Sequence, residues 1–222
     1  VSLPYTCVLW DVDGTIVDAS VGILRRLTIS LERLGLPAPT EAELTHWIGP
    51  PMFESFQTQA HLSPEEAEKA VAHYRELGKA DGYTTDVRLY PGVADLIHEL
   101  HDRSVPQATA SSKPEVQVKA ILEHFELAPL FASITGATAD ERTLGRKADI
   151  VAEALRRLEA QGIDVSRPVL IGDRHHDVEG GTERGVPVIF VDWGFSSPGE
   201  AEGAVAEAAD IEALRALVLP AA

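Results

Sequence analysis

Cysteine is nearly absent: the 222-residue chain has one, Cys7, so no internal disulfide can form. Its place in an apolar stretch points to a small buried hydrophobe rather than a redox group. No apolar run approaches the roughly 20 residues that span a bilayer, which argues against a membrane protein. The first ten residues carry no cationic flank and no small-residue cleavage site, so no secretory signal is read there and a cytoplasmic location is expected. Basic residues are scarce as well. Against 35 Asp plus Glu stand 19 Lys plus Arg, a net charge of −16, and such a field repels nucleic acid polymers. Internal repeats and low-complexity segments are missing, and the Ala/Glu-rich residues 198–209 read as no more than a mobile connection. A chain of this length holds one core domain and a modest insertion, either as a monomer or as a homodimer.

What is there alternates. Residues 6–10 form a short apolar run of strand formers that stops at Asp11-Val12-Asp13-Gly14-Thr15. Residues 16–35 then place Ile23, Leu24, Leu27, Leu31 and Leu34 at helical spacing before Gly35 and Pro37. Helices are also expected over 40–47, 52–60 and 63–80. The last is opened by Ser63-Pro64-Glu65-Glu66, where serine caps and proline fills the first turn. No strand is expected in this block. After Tyr90-Pro91-Gly92 the pattern becomes helix 93–102, strand 106–111, helix 114–125, a short apolar segment 132–136, helix 146–160, strand 169–172, helix 178–184, strand 187–191 and helix 211–217. This predicts an α/β fold, a Rossmann-like three-layer core with a mostly parallel sheet, plus an α-helical cap inserted after the first strand. The core domain would comprise 1–16 and 90–222, and the cap 17–89. The cap would lie over the carboxyl ends of the strands, where open α/β sheets bind ligands.

Chemistry-bearing residues gather at those strand ends. Asp11 and Asp13 leave the first strand two residues apart, with Gly14 permitting an unusual backbone and Thr15 supplying a hydroxyl. Two carboxylates aimed at one spot need a cation or a shared proton, which is how active sites separate an acid from a nucleophile. Asp-Gly also serves ordinary turns. A second acidic pair, Asp173 and Asp177, follows the apolar run ending at Gly172; together with Asp11 and Asp13 it could hold Mg²⁺ through hard oxygens, although Gly172-Asp173 alone could simply cap a helix. His175 and His176 have no third nitrogen or sulfur ligand at a recognisable spacing and are expected in an exposed loop.

Further along, Ser111-Ser112-Lys113-Pro114 offers hydroxyls and a helix amino end to a phosphoryl oxygen, or plain capping by Ser112. Lys147 beside Arg146 opposes the helix macrodipole unless an anion lies near, though taken alone a surface lysine is the commoner case. Arg75 and Lys79 lie one turn apart on the last cap helix, and Trp47, Gly49 and Phe53 could line a recognition loop. A solvated face and cap packing are the alternatives.

These stations in this order resemble the haloacid dehalogenase superfamily of phosphatases: DVDGT at Asp11 to Thr15, a hydroxyl at Ser111, a lysine at Lys147 and GDRHHD from Gly172 to Asp177. The narrower segments Ile48-Gly49-Pro50-Pro51, Tyr90-Pro91-Gly92, Ser112-Lys113-Pro114 and Gly145-Arg146-Lys147-Ala148-Asp149 look like the phosphoglycolate phosphatase and 5′-nucleotidase branch.

The resemblance implies that Asp11 attacks phosphorus and that Asp13 protonates the leaving alcohol, then activates water against the aspartyl-phosphate. It further implies that Mg²⁺ is held by Asp11, the Asp13 carbonyl and Asp173, with Asp177 assisting through water. Ser111 and Lys147 would bind the phosphoryl oxygens. Substrate contacts would come from Ser111, Ser112, Lys147, Arg75 and Lys79. Ala19 replaces the serine often found after Asp18, which weakens an expected capping contact. Asp13 favours phosphoryl chemistry over dehalogenation, which needs only the nucleophile. The expected substrate is a small phosphorylated metabolite such as phosphoglycolate, a sugar phosphate or a nucleotide. A phosphomutase and a catalytically retired phosphometabolite-binding protein are the alternatives.

Overall fold

A computed structural model describes residues 4–40, 43, 46–139 and 143–219. Its centre is β1 (Cys7–Trp10), every residue of which is buried. Around it lies a parallel sheet of five strands in the order β4 (Gln107–Thr109), β1, β7 (Pro168–Gly172), β8 (Val188–Val191), β9 (Ala206–Ala208), and β5 (Ser111–Pro114) pairs in parallel with β6 (Gly136–Ala137) as a separate two-stranded sheet. Side chains alternate across a strand. Val8 and Trp10 therefore join Val169, Ile171, Ile189 and Val191 in one apolar cluster, while Cys7 and Leu9 join Leu170, Val188 and Phe190 in another on the opposite face. Helices α4 (Val93–Asp102), α5 (Glu115–His124) and α8 (Ile211–Val218) cover the first face, and α6 (Lys147–Glu159) with Val178 of α7 (His175–Glu183) the second. Both faces of a parallel sheet are thereby removed from water, as such sheets require. The expected three-layer α/β core is what forms.

Register explains why the strand ends matter. Trp10 pairs with Thr109 on one side and Ile171 on the other. The Ala110 N–H donates to the Trp10 carbonyl at 2.7 Å, and the Asp11 N–H donates to the Ile171 carbonyl at 2.8 Å. The chain segments following three strands, at Asp11, Ser111 and Asp173, thus leave the sheet at one edge and one level.

Between β1 and α4 the chain builds helices α1 (Ser20–Arg33), α2 (Met52–Thr58) and α3 (Pro64–Ala80), which bury a third apolar cluster around Leu27, Trp47, Phe56 and Val71. Ser63 caps α3 with a full capping box: the Glu66 N–H donates to Ser63 Oγ, and Glu66 Oε2 accepts from the Ser63 N–H at 2.9 Å. The expected helix over 40–47 falls partly on residues 41–42 and 44–45, outside the described residues.

Three expectations are corrected. The helical block is not strand-free: β2 (Val17–Asp18) pairs antiparallel with β3 (Arg88–Leu89), so the chain enters and leaves the insertion through one two-stranded ribbon. This delays α1 to Ser20. Ala19 provides no side-chain cap, and the Ser20 N–H instead donates to Asp18 Oδ1 at 2.9 Å. Residues 198–209 are more than a connection, because Ala206–Ala208 forms the edge strand β9. Finally, His175 and His176 lie not in an exposed loop but in the first turn of α7, half-buried. Asp177 draws the helix start forward by accepting from the Arg174 N–H at 3.0 Å.

Candidate active site

At the edge where the strands end, Asp11 is 6% exposed and Lys147 8%. Lys147 Nζ lies 2.7 Å from Asp11 Oδ1 and 2.7 Å from Asp177 Oδ1, and donates to the Ala110 carbonyl at 2.9 Å. Burial works against the charge of Lys147, but Asp11 and Asp177 outweigh it and hold its pKa above the ordinary lysine value. Burial raises the carboxyl of Asp11, with Lys147 opposing and Asp177 adding to the rise. A cation at the start of α6, unfavourable for the helix dipole, is accounted for by these two anions.

Asp173 is fully buried and sits beside them. Thr15 Oγ1 donates to its Oδ1 at 3.1 Å and the Phe195 N–H to its Oδ2 at 2.7 Å. Its pKa is nevertheless raised well above the usual carboxylate value, first by burial and then by Asp11 and Asp177. The approach is possible because residue 14 is glycine: it has φ +86°, and a Cβ there would collide with the Asp173 carboxylate. A Cβ at Gly194 would collide with the same carboxylate.

Asp13 has a different partner. Its Oδ2 is 2.7 Å from Lys113 Nζ, and its Oδ1 is buried without a hydrogen-bond partner. Asp11, Asp13, Ser111 and Ser112 line one cavity of about 50 Å³, closed from the helical side by Trp47, Gly49 and Arg75. Ser111 Oγ accepts from the Lys113 N–H at 3.3 Å. Ser112 does not cap α5, whose N-cap is Pro114. Phe53 lies instead along a second, wider opening of about 400 Å³, beside Lys147 and His176. The structure therefore brings Asp11, Asp13, Ser111, Ser112, Lys147, Asp173 and Asp177 together with Arg75 nearby. Lys79 is exposed and lines neither opening.

Sequence reasoning passed over two cations as site residues. Lys113, with its side chain 8% exposed, holds Asp13; its position directly after the paired serines was the available signal. Arg174 is 4% exposed. It donates to the Ile48 carbonyl of the helical insertion and meets both oxygens of Glu200, at 2.7 and 3.1 Å. Burial, then the neighbouring His175 and Arg174, pull His176 down to about 4.

The donor chemistry suits a small hard cation. One carboxylate oxygen from each of Asp11, Asp173 and Asp177 lies within 4.8 Å of the others, burial and then the repulsion among them raise Asp173, and all-oxygen sets of this kind match Mg²⁺.

A 5′-nucleotidase of Pseudomonas aeruginosa is 34% identical over 216 residues, covering 96% of both chains. The tyrosine-protein kinase PtkA of Mycobacterium tuberculosis is 35% identical over 188 residues, which are 85% of this chain and 62% of that one, so the chain spans less than two thirds of PtkA. The crystal structure of a predicted phosphatase from Clostridium acetobutylicum superposes with a TM-score of 0.85 at 32% identity, covering 96% of this chain and 98% of that one. The family model for haloacid dehalogenase-like hydrolases matches residues 8–191, and with the paired strand-end aspartates already in place the chain belongs to that family.

Proposed function

We propose that the protein is a Mg²⁺-dependent phosphatase that hydrolyses a small phosphorylated metabolite through an aspartyl-phosphate on Asp11. The observation that carries this reading is the placement of Asp11 and Asp13 on one cavity with different partners, Lys147 at 2.7 Å for the first and Lys113 at 2.7 Å for the second. Two carboxylates in different surroundings can take different roles.

In the first step an Asp11 oxygen attacks phosphorus, the bond to the ester oxygen breaks, and Asp13 gives that oxygen its proton. In the second, Asp13 takes a proton from water, which attacks the acyl phosphate; phosphate leaves and Asp11 is restored. Lys147 holds Asp11 in position and, with Ser111, faces the phosphoryl oxygens where charge is spread in the transition state. Asp11, Asp173 and Asp177, with the Asp13 carbonyl, would hold Mg²⁺. That ion supplies neutralisation of the repulsion between carboxylate and phosphate.

Residues 17–89 act as a cap domain over a core made of 1–16 and 90–222, in keeping with their separate apolar cluster and the ribbon at their base. Closure would exclude water and present Arg75 to the leaving group, and the cavity of about 50 Å³ favours a compact one. Phosphoglycolate, sugar phosphates and nucleoside monophosphates are the classes to test.

The test is phosphate release from a panel of these esters with Mg²⁺, with EDTA, and with Asp11→Asn. Release that requires the metal and falls by roughly 10⁴-fold or more in Asp11→Asn is expected. Release that persists in Asp11→Asn would overturn the nucleophile, and no release from any ester would overturn the phosphatase reading.

A further inference from the structure

Outside the aspartate cluster, two imidazoles and a carboxylate meet on the outer side of α7. His175 and His176 open the helix and Glu179 lies one turn on; one ligand-capable atom from each falls within 4.8 Å of the others. Helix geometry accounts for the convergence. At about 100° per residue, Glu179 projects roughly 40° from His175 and roughly 60° from His176, between the two. The rings stack with centroids 3.8 Å apart and a tilt of 41°. Asp177, on the same turn, faces inward and is buried, whereas Glu179 is exposed. The helix thus carries hard carboxylate chemistry on one side and mixed nitrogen and oxygen donors on the other.

A second observation concerns orientation. Glu200 Oε2 lies 3.2 Å from His175 Nδ1. The same carboxylate is fixed by Arg174 and accepts from the His175 N–H at 3.1 Å. A carboxylate on one ring nitrogen is the arrangement that sets the tautomer and orientation of a metal-binding histidine, leaving Nε2 with its lone pair. Next to the trio is the wider opening of about 400 Å³, lined by His176 and Glu179 together with Glu183 and, from the insertion, Glu54. Carboxylates there would offset the cation charge, and an open position toward solvent is available to water or a further ligand.

We propose that His175, His176 and Glu179 form a binding site for a divalent transition metal of the zinc class, at the mouth of the cleft between the helical insertion and the core. Two imidazoles and one carboxylate suit Zn²⁺, Co²⁺ or Ni²⁺, whereas Mg²⁺ prefers an all-oxygen shell. The site is separate from the Asp11, Asp173 and Asp177 cluster and does not depend on the phosphatase reading.

Calorimetric titration of metal-stripped protein with Zn²⁺, and titration with Co²⁺ followed by its visible ligand-field absorption, test it. Both are run on the wild type and on Asp11→Asn/Asp173→Asn, which disables the carboxylate cluster. One equivalent of Zn²⁺ should bind to both, with a Co²⁺ band that Mg²⁺ does not displace. His176→Gln and Glu179→Gln, each checked for folding by circular dichroism, should weaken Zn²⁺ binding at least about tenfold. Absence of stoichiometric Zn²⁺ binding, loss of it in the Asp11→Asn/Asp173→Asn chain, or unchanged affinity in both folded helix variants would overturn the proposal.

Discussion

Arg174 donates from its guanidinium to the carbonyl oxygen of Ile48, so the residue directly after Asp173 grips the loop that lines the cavity from the helical side. Glu200 holds the other edge of the guanidinium in a bidentate pair. Arg174→Met keeps much of the volume and removes both contacts. Breaking a buried pair of this kind costs about 3 kcal/mol, which for a chain of this size is a fall in Tm of roughly 6–12 °C. Thermal unfolding measures it, and a rise in KM larger than the loss in kcat is expected because the loop, rather than the chemistry, is released.

Asp173 sets an unusual pH dependence. Its folded-state pKa lies well above the ordinary 3.8, so the folded protein binds this proton more tightly than the unfolded chain. The contribution to stability is therefore lost as pH rises from about 3.8 through the folded-state value, the reverse of a salt-bridged carboxylate. Metal-free protein should gain in Tm on Asp173→Asn at neutral pH, and Mg²⁺ should raise the Tm of the wild type but not of the variant. Differential scanning fluorimetry with and without EDTA reads both.

If Asp13 serves as acid and then as base, Asp13→Asn separates the two steps. With p-nitrophenyl phosphate, whose leaving group needs no proton, the variant should release a burst of one equivalent of nitrophenol and then turn over slowly. With an alkyl phosphate the first step itself should fall by about 10² to 10⁴. Stopped-flow absorbance distinguishes these outcomes. Lys113→Met should cost less, about 10-fold in kcat, since it removes the partner of Asp13 rather than Asp13 itself.

Cys7 is fully buried in the central strand, and burial pushes its thiol up to about 11. Native protein should not react with a thiol reagent at neutral pH, and one thiol should titrate after denaturation. Absorbance from a thiol-exchange reagent checks this.

The core was legible because its signals are local. The run before Asp11 and the run before Asp173 each end in an acidic motif within a few residues, and the alternation of strand and helix announces a parallel sheet. What sequence did not reveal depends on partners far along the chain. The β9 segment Ala206–Ala208 has little strand propensity and is held by pairing with Val191 and its neighbours. Arg174 finds its carbonyl 126 residues away. Lys79 shares the helical face suggested by its spacing with Arg75, yet of the two only Arg75 lines the cavity, and Lys79 is exposed.

The double pairing of β1 has a consequence for how the chain tolerates change. Trp10 is locked between Thr109 and Ile171, and its side chain and that of Val8 fill one face while Cys7 and Leu9 fill the other. One residue inserted or deleted within Cys7–Trp10 would exchange the two faces. The same slip would carry Asp11 off its hydrogen bond to Ile171 and turn it from Lys147. A reading-frame error in the hydrophobic interior is thus also one in the chemistry, and no substitution elsewhere in the loop could compensate for it.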